Sequence, residues 1–120
     1  MSRVLYVEDD PNNRMLVSRI LLAEGIEVEE ADNAILGIEM AVTNPPDLIL
    51  MDISMPEMDG LTATAEIRNI PKIADIPIIA LTANVMESDR ERSLNAGCDG
   101  FIGKPIDVDT FADEVLAYLK

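Results

Sequence analysis

The segment Val4-Leu5-Tyr6-Val7-Glu8-Asp9-Asp10-Pro11 passes from an apolar run to three acids and then to a proline. Four consecutive apolar residues are typical of a strand buried on both faces of a parallel sheet. Asp10 followed by Pro11 is typical of a helix start, with the acid as N-cap and the proline at the first helical position. The segment therefore predicts a strand that leads directly into a helix, with Glu8 and Asp9 at the junction.

The same strand-and-helix pattern recurs along the rest of the chain. Residues 26–29 alternate between apolar and acidic, which predicts an edge strand, whereas the apolar run 48–51 is typical of a central strand. Further strands are predicted at 78–81 and 99–102, and further helices at about 34–42, 61–68, 86–95 and after Asp107.

Five strands in strict alternation with five helices predict the α/β class, a doubly wound (βα)5 parallel sheet with helices on both faces. Right-handed crossovers leave few topologies. The alternating second strand and the short fifth strand suit the two edges, so the expected order is 2-1-3-4-5. No repeat or linker divides the sequence, and one domain over residues 1–120 is expected.

Two of the helices carry apolar patterns that predict which face is buried. In the first helix the stripe is Met15, Leu16, Ile20 and Ala23, and Gly25 ends the helix. In the last helix Asp107 is expected as the cap, with one apolar face formed by Val108, Phe111, Ala112, Val115 and Leu119.

The composition restricts the classes of function. With 23 acidic and 9 basic residues the formal net charge is −14, and such a surface repels nucleic acid and anionic lipid. No apolar run approaches the roughly 20 residues that cross a bilayer, and the N-terminus lacks a signal-peptide pattern. The single cysteine, Cys98, cannot form an internal disulfide. A cytoplasmic protein without nucleic-acid binding or membrane insertion is expected.

Acidic residues follow two of the predicted strands: Glu8 and Asp9 follow the first, and Asp52 follows the third. The carboxyl ends of parallel strands meet at one edge of a sheet, and the change of winding direction in the order 2-1-3-4-5 falls between strands 1 and 3. Carboxylates gathered there repel one another without a cation. Mg²⁺ prefers such oxygen ligands, so a magnesium site is predicted at this edge.

Asp52 is the candidate nucleophile, because a carboxylate can attack phosphorus and form an acyl phosphate. Thr82 and Lys104 end the fourth and fifth strands, where a hydroxyl and an ammonium group would contact phosphoryl oxygens. Taken singly, Asp52 also suits an ordinary turn, Thr82 a strand end and Lys104 an exposed position. Taken together, the three residues follow three separate strands at the same edge of the predicted sheet, which favours a shared site. The Lys104-Pro105 bond is a candidate for the cis form, which would aim the lysine inward.

With these residues in view, the chain resembles the receiver domain of bacterial two-component response regulators, the CheY-like family. The matching segments are Val7-Glu8-Asp9-Asp10, Met51-Asp52-Ile53-Ser54-Met55-Pro56 with Asp59-Gly60, Leu81-Thr82-Ala83, and Lys104-Pro105. The resemblance covers essentially the whole chain. It suggests a stand-alone, single-domain regulator, although a receiver domain excised from a hybrid kinase would have much the same sequence.

The resemblance implies a role for each site residue. Asp52 would accept a phosphoryl group from a phosphohistidine on a sensor histidine kinase or histidine phosphotransferase. Asp9 would bind Mg²⁺ directly, Glu8 through water and Ser54 through its backbone carbonyl. Thr82 and Lys104 would contact the phosphoryl oxygens. Phe101 stands where the family carries a switch aromatic, although a core role remains an alternative for it.

The resemblance also implies partners and a switch. Phosphorylation would change the face formed by helix 4, strand 5 and helix 5, where a downstream protein target would bind. A phosphotransferase would dock near helix 1, beside Asn12, Met15 and Leu16. The chain is expected to be a monomer or a weak dimer. It would catalyse only its own phosphorylation and dephosphorylation. Ser54 and Asn84 occupy positions that tune the lifetime of the phosphate in the family.

Three alternatives remain at this stage. An aspartyl phosphatase usually has a second aspartate two residues after the nucleophile, where this chain has Ser54. A flavodoxin-like flavin carrier needs a phosphate-binding loop after strand 1, where the acids Glu8, Asp9 and Asp10 would repel the flavin phosphate. A degenerate receiver would be a phosphorylation-independent protein-binding module, which the complete set of acids, Thr82 and Lys104 disfavours.

Overall fold

A computed structural model describes residues 2–53, 55, 58–82 and 87–119, with the side chains of 87–90 excluded. The strands are β1 Arg3–Val7, β2 Glu27–Ala31, β3 Leu48–Asp52, β4 Ile78–Thr82 and β5 Gly100–Gly103. The helices are α1 Pro11–Ala23, α2 Ala34–Thr43, α3 Gly60–Arg68, α4 Glu87–Ala96 and α5 Phe111–Leu119. Strands and helices alternate strictly, as the sequence predicts.

The five strands form one parallel sheet in the order β2-β1-β3-β4-β5, which confirms the predicted topology. The central strand β3 is buried at all of its positions, because both of its faces are covered. The edge strand β2 has only one buried residue, Ala31, and its glutamates are exposed or partly buried.

Each face of the sheet has its own apolar core. Val17 and Leu21 of α1 pack with Phe111 and Val115 of α5 on one face. The other core includes small and branched residues of the helices α2 and α3, among them Ala34, Ala41, Ala63 and Ile67. Residues that alternate along each strand point to opposite faces, so β1 and β3 contribute to both cores.

Side-chain caps fix where three helices begin. The Asp10 carboxylate accepts a hydrogen bond from Asn12 N at 2.9 Å, and Pro11 is the first residue of α1, as predicted. Asn33 accepts from Leu36 N at the start of α2, and Asp59 from Thr62 N at the start of α3. Each cap satisfies a backbone N–H that has no partner within its helix. The caps therefore set the point at which the chain turns away from the strand ends.

The predicted apolar stripe of α1 was wrong at two of its four residues, Met15 and Ala23. The buried residues of this helix are Val17 and Leu21, whereas Met15 is 54% exposed and Ala23 is also exposed. Leu16 is partly buried, and Ile20, also partly buried, packs against the core as predicted. Many residues of α1 are apolar, so the sequence allows more than one helical stripe, and packing against the sheet and α5 selects Val17 and Leu21.

The predicted face of α5 was wrong at its first residue. The helix begins at Phe111, and Val108 lies in the preceding turn with 59% of its surface exposed. Asp107 does cap this turn: its side chain accepts from Asp109 N, and its carbonyl accepts from Phe111 N. Val108 is therefore outside the packed part of the helix, whereas Phe111 and Val115 are buried as predicted.

The helices within the described ranges lack the length and apolar character that a membrane span requires.

Candidate functional site

Three carboxylates meet at the carboxyl ends of β1 and β3. Val7 pairs with Met51 across these adjacent strands, so the residues that follow, Glu8 and Asp52, come side by side. One carboxylate oxygen from each of Glu8, Asp9 and Asp52 lies within 4.8 Å of the others. Glu8 and Asp52 are buried, with 1% and 2% of their surfaces exposed, and Asp9 is exposed at the rim.

Glu8 has two carboxylate oxygens in very different surroundings. Its Oε1 accepts hydrogen bonds from Lys104 Nζ at 2.8 Å, Tyr6 Oη at 3.0 Å and Asn13 Nδ2 at 3.2 Å. Its Oε2 is buried and has no hydrogen-bond partner among the described residues. Such an oxygen is costly unless a further group satisfies it.

Lys104 connects two of the carboxylates. Its Nζ lies 2.8 Å from Glu8 Oε1 and 3.2 Å from Asp52 Oδ1. The backbone N–H of Lys104 donates to the carbonyl of Thr82 at 2.7 Å, and the Lys104-Pro105 peptide bond is cis. The fifth strand therefore delivers the ammonium group into the acid cluster, although Glu8 is a closer partner than the predicted Asp52.

The surroundings of Glu8 and Lys104 favour the charged forms of both residues. Burial alone would raise the pKa of Glu8, but the hydrogen bonds that Lys104 and Tyr6 donate to it, together with the Lys104 charge, lower that pKa from 4.5 to about 2. Burial would lower the pKa of Lys104, but the hydrogen bond and charge of Glu8 and the charge of Asp52 raise it overall. Burial and the neighbouring Glu8 charge raise the pKa of Tyr6, which stays a neutral donor.

Thr82 and Phe101 lie on adjacent strands beside this cluster. Thr82 ends β4 and is 4% exposed. Phe101 is half-buried, pairs with Ala80 in the sheet register and packs against the core on the α2–α3 face. Ala80 and Thr82 are two residues apart and therefore share a face of the sheet. Phe101 thus lies on the same face as Thr82. The predictions for Ser54 and Asn84 lie outside the described residues.

Arg14 and Gly60 support the site, and sequence reasoning missed the role of both. Arg14 donates from Nη1 to the Glu8 carbonyl at 2.7 Å, and its Nε lies 3.3 Å from Glu30. Gly60 opens α3 so close to β3 that a Cβ there would collide with the Asp52 carbonyl and lie 2.8 Å from the Ile53 Cα. The Gly60 position leaves a signal in sequence, a glycine directly after a capping acid, whereas the Arg14 contact has none.

The donor set fits a hard divalent cation. Three carboxylates at this separation supply oxygen ligands of the kind that Mg²⁺ prefers. The Oε2 of Glu8, which is buried without a hydrogen-bond partner in the described part of the chain, is a second sign that the cluster can take a further ligand. Lys104 offsets part of the negative charge, and a divalent cation would offset the rest.

This fold and this site are those of a response regulator receiver domain, and that family matches the chain over residues 4–116. The chain belongs to this family and is a receiver of two-component signalling. Membership favours this function over the phosphatase and flavin-carrier alternatives.

Curated relatives include the polar-differentiation response regulator DivK of Brucella anthropi, with 38% identity over 97% of this chain and 94% of the relative. DivK of Brucella ovis is 37% identical with the same coverage.

Solved structures agree with the fold. The chemotaxis protein CheY4 of Vibrio cholerae superposes with a TM-score of 0.93, at 27% identity and 98% coverage of both chains. The receiver domain of a sensor histidine kinase of Pseudomonas aeruginosa superposes with a TM-score of 0.89, at 34% identity, covering 98% of this chain and 97% of its own. That structure has a magnesium ion coordinated in its active-site cleft.

Proposed function

We propose that residues 1–120 act as a single receiver domain whose Asp52 accepts a phosphoryl group from a phosphohistidine. The observation that carries this assignment is the position of Asp52. It is buried at the end of the central strand, beside two other acids and 3.2 Å from the Lys104 ammonium group. Glu8 is also buried, but three donors already occupy its Oε1. Asp9 is exposed, and within the described part of the chain the Lys104 ammonium group pairs with Glu8 and Asp52 and not with Asp9.

In the proposed reaction an Asp52 carboxylate oxygen forms a bond to phosphorus while the phosphorus–nitrogen bond of the phosphohistidine breaks. The imidazole leaves with the bonding electron pair, and an acyl phosphate remains on Asp52. Lys104 then exchanges part of its carboxylate contacts for a phosphoryl oxygen. The Thr82 hydroxyl donates to another oxygen of the same group.

Glu8, Asp9 and Asp52, with the backbone carbonyl of Ser54, are the residues that would hold Mg²⁺. The cation supplies positive charge that neutralises the carboxylates and the incoming phosphoryl group. The magnesium ion in the receiver of the Pseudomonas aeruginosa kinase supports this choice of metal. The cluster geometry and the unsatisfied Oε2 of Glu8 support the choice of ligands.

Phosphorylation would act as a switch through Thr82 and Phe101. A phosphoryl group adds about −1.5 to −2 charges and attracts the Thr82 hydroxyl and the Lys104 ammonium group. Movement of Thr82 would change the packing of Phe101, which lies on the same face of the adjacent strand. The phosphate thereby biases an existing equilibrium between two arrangements, and a downstream protein would read the change on the face formed by α4, β5 and α5.

The phosphodonor would be a sensor histidine kinase or a histidine phosphotransferase that docks beside α1. Asn12 and Met15 are exposed on this helix, which begins directly after the acid cluster. The exposure of Met15, which contradicted its predicted role in the core, supports a role in docking. The site of action would be the cytoplasm, and the active form a monomer or a weak dimer.

The test is phosphotransfer from radiolabelled histidine phosphotransferases and kinases, with and without Mg²⁺. We expect the wild-type chain to acquire an acid-stable, base-labile label only with Mg²⁺, and Asp52→Asn to remain unlabelled while it retains its fold. Asp75→Asn is the matched control, since Asp75 is exposed before β4 at the opposite edge of the sheet. Label that persists in Asp52→Asn would contradict the assignment.

The same experiment distinguishes the alternative of a phosphorylation-independent module. A wild-type chain that takes no label from any donor, yet binds a partner equally well as wild type and as Asp52→Asn, would favour that alternative.

A further inference from the structure

Tyr6 is a polar aromatic residue in the middle of an apolar core. It lies on β1, has no exposed surface and packs with residues of α1 and α5. Its hydroxyl donates to Glu8 Oε1 at 3.0 Å. Tyr6 and Glu8 are two residues apart, so their side chains leave the strand on the same side. A buried phenol needs a partner, and here the partner is a candidate metal ligand.

The two carboxylate oxygens of Glu8 differ in their hydrogen bonding. Tyr6, Asn13 and Lys104 all donate to Oε1. Oε2 is buried without a hydrogen-bond partner among the described residues. Asn13 and Lys104 approach from α1 and from the end of β5, whereas Tyr6 holds the carboxylate from within the core. The three donors together fix the rotation of the carboxylate.

We propose that Tyr6 is a positioning residue for the divalent cation: its hydroxyl orients Glu8 so that Oε2 is presented to the cation or to water bound to it. This inference rests on the proposed function, since it needs a cation at the acid cluster. Partners of metal-binding carboxylates commonly fix ligand orientation in this way. The aromatic ring is core, and only its hydroxyl has this role.

Removal of the Tyr6 hydroxyl should change the Mg²⁺ affinity in opposite directions if the hydroxyl positions Glu8 and if it only withdraws charge from Glu8. A donor also withdraws charge from a carboxylate, so if charge alone mattered, removal of the hydroxyl would strengthen Mg²⁺ binding. If the hydroxyl positions Glu8, its removal lets the carboxylate rotate and weakens binding. Tyr6→Phe keeps the ring and removes only the hydroxyl, and it separates the two accounts.

The experiment is a Mg²⁺ titration of the unphosphorylated protein, followed by amide chemical shifts around Asp52. We expect the dissociation constant of Tyr6→Phe to be about threefold to tenfold higher than that of wild type. Tyr118→Phe is the matched control, because Tyr118 is the other of the two tyrosines and lies on α5, partly exposed. It should bind Mg²⁺ as wild type does.

A spectroscopic signature accompanies the titration. In Tyr118→Phe the only remaining tyrosine is Tyr6, and Mg²⁺ should shift its ultraviolet absorbance band, because the cation changes the field at Glu8. Tyr6→Phe should show no Mg²⁺-dependent change in tyrosine absorbance. The absorbance shift reports a cation bound beside the Tyr6–Glu8 hydrogen bond, whereas the lower affinity of Tyr6→Phe reports that the hydroxyl positions Glu8.

A double-mutant cycle with Glu8→Asp tests whether the effect passes through Glu8. Aspartate is one methylene shorter and should not reach the Tyr6 hydroxyl. In the Glu8→Asp background, Tyr6→Phe should therefore leave Mg²⁺ affinity unchanged. An equal loss of affinity in both backgrounds would overturn the inference, because the effect would then come from a general change in β1.

The outcomes separate the inference from the proposed function. A wild-type chain that fails to bind millimolar Mg²⁺ would overturn both. A wild-type chain that binds Mg²⁺, with a folded Tyr6→Phe variant that binds equally or more tightly, would overturn only the role of Tyr6.

Discussion

The ammonium nitrogen of Lys104 lies 2.8 Å from Oε1 of Glu8, although the two residues are 96 positions apart in the sequence. The contact joins the end of β5 to the end of β1, across β3 and β4, which lie between them in the sheet. Lys104 also lies 3.2 Å from Asp52. The Lys104 ammonium group therefore compensates two buried carboxylates. It also links the end of the edge strand β5 to the ends of the inner strands β1 and β3.

Lys104→Met should destabilise the fold by about 1–3 kcal/mol without Mg²⁺, because it leaves Glu8 and Asp52 without their cationic partner. Mg²⁺ should recover part of this loss, since a bound cation neutralises the same carboxylates. Urea unfolding with and without Mg²⁺ measures both effects. Lys72→Met, at an exposed position of the α3–β4 connection, should be nearly neutral. If Lys104→Met lost the same stability with and without Mg²⁺, Lys104 and the cation would not neutralise the same carboxylates.

Gly60→Ala should disturb the site as well as the stability. The added methyl group would collide with the Asp52 carbonyl and lie 2.8 Å from both the Ile53 Cα and the Met51 side chain. Relief requires α3 to move away from β3, at a cost of about 1–3 kcal/mol. We expect weaker Mg²⁺ binding and slower phosphotransfer, as measured by titration and labelling.

Gly25→Ala provides the control for this change. Gly25 has a φ of 77° and nothing within 4 Å of an added Cβ, so alanine there meets only backbone strain of about 1 kcal/mol. This variant should lose stability but retain wild-type Mg²⁺ affinity. Equal loss of affinity in the two variants would show that the packing of Gly60 is not specific to the site.

Acid should remove a contribution of Glu8 to stability. The pKa of Glu8 is lowered from 4.5 in the unfolded chain to about 2 in the fold, so the folded state binds fewer protons between these values. The contribution is complete above pH 4.5 and is lost as the pH falls towards 2. In Mg²⁺-free urea unfolding, Glu8→Gln should reduce the slope of stability against pH in this window.

Glu27→Gln, which removes an exposed glutamate of β2, is the control and should retain the wild-type slope. Lys104 gives the opposite dependence at alkaline pH, because its pKa is raised above 10.5 in the fold. Its contribution is present below pH 10.5 and is lost as the pH rises through the folded pKa. An acid slope that Glu8→Gln does not change would contradict the paired state of Glu8.

Arg68→Lys should destabilise the fold by about 1–3 kcal/mol without changing phosphotransfer at saturating Mg²⁺. The guanidinium group donates to the carbonyls of Gly97, Ala74 and Ile76 at 2.7–2.9 Å and to the Asp99 carboxylate at 2.8 Å. Lysine cannot reproduce this planar set of donors. Arg19→Lys, on the exposed side of α1, should stay within about 0.5 kcal/mol of wild type.

Urea unfolding measures this difference, and labelling of the folded variants measures phosphotransfer. Arg68 connects the end of α3 by hydrogen bonds to the loop after α4 and to the segment before β4. These contacts lie at the amino ends of the strands, opposite the acid cluster. An Arg68→Lys variant as stable as wild type would show that these hydrogen bonds contribute little net free energy.

The fold was predictable because its signals are local. The apolar runs at 4–7 and 48–51, the cap at Asp10 and the stop at Gly25 each depend on a few neighbouring residues. The alternation of strands and helices then limits the topology, since parallel strands need right-handed crossovers. Even the cluster of Glu8, Asp9 and Asp52 follows from this order, because the carboxyl ends of parallel strands share one edge.

The errors of prediction lie where several local patterns were equally acceptable. An apolar α1 could have buried Met15 and Ala23 or Val17 and Leu21, and the packing against the sheet selects the second pair. Val108 fits the period of α5, but the turn capped by Asp107 keeps it in solvent. Helix period alone does not specify which of two overlapping stripes meets the sheet.

The local sequence thus determined the strands, the helices, their order and the edge at which the acids gather. The choice of partners within that edge depended on packing across the whole chain. Lys104 lies closer to Glu8 than to Asp52, and Tyr6 and Asn13 donate to one oxygen of Glu8. The other oxygen of Glu8 has no hydrogen-bond partner among the residues that the structure describes. Hydrogen bonds depend on tenths of an ångström and on angle. Sequence spacing specifies neither, because the positions of the groups are set by how separate helices and strands pack.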